Sequence, residues 1–81
     1  MKVEIDPRLL KEIQKLDRNL RDRFAKAIEK LCLYPEIGKP LHYEFKGCRR
    51  IRIDPFRIIY KIKADTIFIL AFEHRSIIYK S

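Results

Sequence analysis

The sequence predicts an α+β fold: a short N-terminal strand, a two-helix hairpin and a three-stranded antiparallel meander, with the helices packed on one sheet face. Three observations carry this. Apolar residues recur at helical spacing through the first 33 positions and at two-residue spacing from about position 48 onward. The connections between the later apolar runs are so short that consecutive strands must pair antiparallel. The chain has 81 residues, enough for one small domain over 1–81, in which each amphipathic helix needs a sheet face to cover.

Taken in order, Val3 and Ile5 alternate with Lys2 and Glu4 and predict the first strand. Asp6 is a good N-cap and Pro7 suits the first helical position, where a missing N–H costs nothing. The first helix is expected from about Pro7 to Leu16, with Leu9, Leu10, Ile13 and Leu16 on one face. Asp17 caps a second helix whose stripe is Leu20, Phe24, Ala27, Ile28 and Leu31. Arg21, Asp22, Arg23, Lys26, Glu29 and Lys30 form its solvent side. Pro35 disfavours helical geometry at Tyr34, so this helix ends near Leu33. From Glu36 to Lys46 the chain is punctuated by Gly38 and Pro40, and the alternation of Leu41, Tyr43 and Phe45 is compatible with an irregular strand or a loop. Strands follow at about Cys48–Asp54, Phe56–Lys63 and Thr66–Phe72, joined by turns at Asp54-Pro55 and Ala64-Asp65.

Charge is concentrated where the hairpin is. The net charge is +8 overall, with eight basic and two acidic residues between positions 39 and 63. Such a segment suits a polyanion or an acidic protein partner; the plain alternative is a highly charged, solvated surface. No run reaches the length of a membrane span, and Met1-Lys2-Val3-Glu4 opens no signal-peptide core. A cytoplasmic protein without membrane association is expected. Cys32 and Cys48 lack CxxC spacing, and His42 and His74 lie far apart. Neither a metal site nor a cofactor is expected, and the thiols are expected to be buried, with a disulfide left open.

Arg50 and Arg52 share one strand face while Ile51 and Ile53 take the other. The matching register sets Arg57 beside them. Clustered like charges on neighbouring strands are unfavourable, so three guanidiniums there point to anion binding. Arg75 and Tyr79, beyond the last strand, would add a bidentate phosphate donor and a stacking ring. Lys46, Arg49, Lys61 and His74 are further candidates for contact with RNA. No carboxylate pair or Ser/His/Asp arrangement is evident, so the chemistry expected is electrostatic and positional.

The helical stretch from Leu20 to Leu31, the Gly38-Lys39-Pro40-Leu41 loop, the segment Lys46–Ile53, the Phe56–Tyr60 strand and His74-Arg75 with Tyr79 together resemble the RelE/ParE superfamily of toxins, in its RelE-like branch. The resemblance covers essentially the whole chain. It implies a toxin of a type II toxin–antitoxin pair that enters the ribosomal A site and cuts mRNA without a metal, by attack of a ribose 2′-hydroxyl on the adjacent phosphate. By position it assigns Arg50, Arg52, Arg57, Arg75 and Tyr79 as catalytic: Arg57 and Arg75 stabilise charge, and Tyr79 stacks on the base. It implies an acidic or amphipathic helical antitoxin, suited to a basic groove between helices and sheet. Arg50 and Arg52 stand where relatives have lysines. Because arginine stays charged, the proton-accepting role would pass to His74 or Tyr79. The alternatives are a ParE-like inhibitor of DNA gyrase, and a member that binds antitoxin or nucleic acid without catalysis.

Overall fold

The computed structural model of the chain describes residues 1–74. Strand β1 (Lys2–Ile5) leads through helices α1 (Pro7–Gln14) and α2 (Arg18–Leu33) to β2 (Lys39–Pro40), a 3-10 turn (Tyr43–Phe45), and strands β3 (Arg49–Ile53), β4 (Phe56–Lys63) and β5 (Thr66–His74). The expected α+β class, helical hairpin and antiparallel meander are all present. The five-stranded sheet runs β1-β5-β4-β3-β2, and it is mixed: β1 lies parallel to β5. Both helices intervene between β1 and the meander, which gives the chain the length a parallel return requires.

Both caps act as their residue types dictate. The Asp6 carboxylate accepts from the Arg8 N–H and the Asp17 carboxylate from the Leu20 N–H, each at 2.8 Å. The bond from the Arg8 backbone holds the Asp6 carboxyl below its ordinary range. Helix α1 ends at Gln14, two residues short of expectation. Its final turn tightens into i→i+3 bonds, Lys15 to Glu12 and Leu16 to Ile13. Ile13 is buried, with Leu9 and Leu16 beside it, but Leu10 is 40% exposed and outside the stripe.

The core lies between α2 and the sheet: Phe24 and Leu31 pack on Ile53, Ile58, Tyr60, Ile67, Ile69 and Phe72. Phe72 stacks on Phe56 with centroids 4.7 Å apart and meets Phe24 edge-on at 5.5 Å. The β4–β5 register shifts by one at Ile59/Tyr60. This bulge leaves Leu70 53% exposed and puts both Ile69 and Phe72 in the core. Cys32 and Cys48 are free thiols, half-buried rather than buried. No helix among the described residues is long and apolar enough to cross a membrane.

One buried polar side chain organises the loop after α2. The Tyr60 hydroxyl, with Tyr60 fully buried, donates to the Pro35 carbonyl at 2.7 Å and accepts from the Gly38 N–H at 2.9 Å. The Arg49 guanidinium adds bonds to the Glu36 and Gly38 carbonyls at 3.0 and 2.8 Å. Gly38 has no room for a side chain, since a Cβ there would lie 2.6 Å from Tyr60 Cε1. Where an irregular strand or loop was expected, these anchors leave a two-residue strand and a 3-10 turn with Tyr43 at φ 58° and 95% exposed.

Burial pushes the Tyr60 phenol above its ordinary value, and the Gly38 N–H only partly offsets this. Folding thus favours the neutral phenol. Its contribution is complete below the unfolded tyrosine value of about 10 and is lost as pH rises through the higher folded value. Tyr60→Phe strands a backbone donor and an acceptor, and should cost about 1–3 kcal/mol in urea denaturation at neutral pH. The difference from the parent chain should narrow above pH of about 10.

Candidate functional site

The hairpin of β3 and β4 brings the expected arginines together. Arg52 is the direct cross-strand partner of Arg57, and Arg50 that of Ile59. Arg57 faces Glu73 on its other side, and Arg50 faces Lys39 on β2. Since cross-strand partners share a face, Lys39, Arg50, Arg52, Arg57 and Glu73 lie on the side of the sheet away from the helices. The sequence reading gave Lys39 and Glu73 no role; the register sets both beside the arginines.

Arg57 is the most constrained of the set. It is half-buried, and its Nε–H is buried without a hydrogen-bond partner among the described residues. Among the described residues no ion pair joins it to Glu73; the ion pairs found are Arg8–Asp6 and Arg18–Asp22, both on the helices' exposed side. An unsatisfied charged donor next to a like charge is costly. An anion bridging Arg52 and Arg57 would relieve both penalties at once, because a phosphate accepts bidentate guanidinium bonds. The face is not uniformly wet: Ile59, on the central strand between Arg57 and Lys61, is 1% exposed.

Other candidates fall elsewhere. Arg49 shares the helix-side face with Ile51 and Ile53, and its guanidinium is committed to the two loop carbonyls, so it serves the scaffold rather than the basic face. Period-two alternation sends it there, one residue out of step with Arg50 and Arg52. His74 pairs with Phe56 and meets its ring edge-on at 5.3 Å, on the opposite face from Arg57. The bulge causes this, by shifting the end of β5 one residue out of the expected alternation. Lys61 is exposed on the arginine face but about 13 Å along β4 from Arg57. Lys46 is exposed in the loop before β3. Arg75 and Tyr79 lie outside the described residues.

A second basic feature lies at the sheet's edge. A groove of about 540 Å³ separates α2 from β3. Arg23, Lys26 and Lys30 line it, although the sequence reading set them on the solvent side of α2. Their spacing of three and four puts them on one helical face, but nothing in sequence says which element that face overlooks.

The comparisons with known proteins agree with this architecture. The family model for ParE toxin of type II toxin-antitoxin system, parDE, matches residues 3–79. An Escherichia coli protein named for its likeness to the toxin RelE is 34% identical over 62 residues, covering 74% of this chain; the match spans 65% of that relative's length. The isolated E. coli RelE toxin superposes with a TM-score of 0.76 at 23% identity, over 98% of this chain and 90% of its own. A chain of the toxin–antitoxin complex RelBE2 from Mycobacterium tuberculosis gives 0.71 at 27% identity, over 91% of this chain and 96% of its own.

The like-charge pair gives a stability test. Arg52→Gln should raise stability by about 0.2–1 kcal/mol in low-salt urea denaturation. The gain should shrink as salt screens the exposed charge.

Proposed function

The chain belongs to the RelE/ParE toxin superfamily of type II toxin–antitoxin systems as a RelE-like member, and from that premise we propose that it is a ribosome-dependent mRNA endonuclease. The observation that carries this reading is the Arg52–Arg57 cross-strand pair, with the buried Arg57 Nε–H lacking an acceptor among the described residues.

The proposed reaction is transfer within RNA. The ribose 2′-hydroxyl attacks the adjacent phosphate, the bond to the 5′-oxygen of the next nucleotide breaks, that oxygen takes up a proton to leave as a hydroxyl, and a 2′,3′-cyclic phosphate is left. Charge grows on the phosphate's equatorial oxygens in the transition state. Fixed guanidiniums at Arg52 and Arg57 would stabilise that charge more strongly than the ground state, which is what accelerates the step. Arg50 and Lys39, one row along the sheet, would hold the neighbouring backbone phosphate. Arg75 and Tyr79 keep their proposed parts as second charge stabiliser and base-stacking ring. No metal is invoked.

Guanidiniums stay protonated, so the 2′-hydroxyl proton must pass to another group. Glu73 sits across the strand from Arg57 and is half-buried, which suits it to be that acceptor better than His74 on the far face. Because ribosomes supply the substrate, the chain would act in the cytoplasm. Its proposed protein partner is an acidic, amphipathic antitoxin. A second reading, inhibition of DNA gyrase, is favoured by one observation: the matching family model is that of ParE.

Purified protein added to programmed ribosomes should cut mRNA in the A site and leave free mRNA intact. Arg57→Ala should lower the single-turnover rate by about 10²–10³-fold. Absence of cutting, or full activity in that variant, overturns the proposal, and inhibition of supercoiling instead would support the gyrase reading. Glu73→Gln should lower the single-turnover rate by about 10²–10⁴-fold. A rate left unchanged would remove Glu73 from the role of base.

A further inference from the structure

The sheet ends in two different edges. At one, β2 is two residues long and includes Pro40, which has no N–H to offer. At the other, β1 has no strand beyond it among the described residues. Its four residues, Lys2, Val3, Glu4 and Ile5, include no proline and pair with β5 without a register shift. Charge apart, the devices that close an edge to other strands are missing there.

The parallel ladder fixes which backbone groups that edge presents. The Lys2 N–H donates to the Asp65 carbonyl at 3.0 Å. Lys2 and, two residues on, Glu4 therefore turn their backbone groups toward β5, and those of Val3 and Ile5 point out of the sheet. The Val3 and Ile5 side chains pack against the core, while Lys2 and Glu4 are exposed on the arginine side.

A second copy of the chain meets this pattern in one register. Antiparallel strands exchange bonds between residues that both face outward, so Val3 must lie opposite an odd-numbered residue of the other copy. Opposite Met1, it would bring Lys2 against Lys2. Opposite Ile5, it would bring Glu4 against Glu4. Like charges directly across a ladder are unfavourable. Opposite Val3 itself, Lys2 lies against Glu4 and Glu4 against Lys2, and both charges are paired at once. The same register sets Met1, which is 46% exposed, against Ile5.

We propose that two copies of this chain associate through β1, antiparallel about Val3, in a dimer whose sheet runs on through both copies. The proposal needs nothing of the RNA-cleavage reading. The two-fold axis is perpendicular to the sheet, so the helices of both copies lie on one side and the arginines of both on the other. Arg57 and Arg52 are on the third and fourth strands in from the joined edge, and they stay open in each copy. The dimer thus carries two anion-binding clusters on one surface. An edge of four residues makes a small interface, and the association is weak and concentration-dependent.

Sedimentation of the whole chain in a thiol reductant, which keeps Cys32 and Cys48 from linking copies, tests this. The average mass should double between about 1 µM and about 1 mM. Lys2→Glu puts two acid–acid contacts into the dimer and Glu4→Lys two base–base contacts, and each should weaken association about tenfold at low salt. Both positions are exposed, so the core is undisturbed. Lys2→Glu also lowers the net charge from +8, which by itself would favour association, so a loss there is specific to the contact. Mixing the two variants should restore association, since each supplies the charge the other lacks. Amide exchange read by NMR should slow about fivefold or more at Val3 and Ile5 as the dimer fills, with Glu4, already turned to β5, changing little. A chain that stays monomeric at the highest concentration overturns the proposal. So does a dimer indifferent to both substitutions, one the mixed variants fail to rebuild, or one that leaves the Val3 amide exchanging as in the monomer.

Discussion

A buried phenol determines where the sheet stops. The Tyr60 hydroxyl bridges Pro35 and Gly38 at the end of α2, and Arg49 closes the same loop from β3. Burying a hydroxyl is favourable only when its hydrogen bonds are made, so Tyr60 and the loop depend on each other. Together they bend the chain off the β3 ladder after two residues, hold Lys39 opposite Arg50, and keep the groove under α2 open. The polar face and the open groove both follow from where Gly38 is held.

The same economy explains how a small chain supports crowded charge. Apolar residues of β3, β4 and β5 fill one side of the sheet against α2, and the core contains no charged group among the described residues. Arg50, Arg52 and Arg57 are thereby set on the other side, where two of them meet across a single ladder step. That arrangement works against folding. It is tolerated because the core is built from Tyr60, Leu31 and isoleucines that are almost wholly removed from water. The energetic gain from the charge cluster has to come from a bound anion or an acidic partner.

Much of this was legible in the sequence because periodicity is local. Leu20, Phe24, Ala27, Ile28 and Leu31 marked the inner face of α2, Asp17 and Pro35 marked its ends, and the alternation from Arg50 to Lys61 gave the hairpin register that pairs Arg52 with Arg57. The misses were tertiary. Arg49 reads as one more basic residue until the loop carbonyls it serves are in place. Lys26 and Lys30 are solvent-facing as read, but that they overlook a groove was not legible, because the element across it, β3, lies some twenty residues further along the chain. Leu10 fits the helical stripe but is 40% exposed. His74 was expected beside the arginines and lies on the far face, because the bulge that shifts the end of β5 leaves no local mark in its run of apolar residues.

That bulge makes β5 a strand read in two frames. Before Leu70, odd-numbered residues face the core; after it, even-numbered ones do. The switch sends Phe72 inward to Phe24 and Phe56 and turns Glu73 toward Arg57. Register along this strand therefore matters more than length. Straightened at constant length, β5 would set Phe72 rather than Glu73 across from Arg57, an aromatic ring in place of a carboxylate, whereas loss of Leu70 together with the bulge would leave both facings as they are. For homologues of this toxin, a single-residue gap at Leu70 is a milder chemical change than a substitution at Glu73.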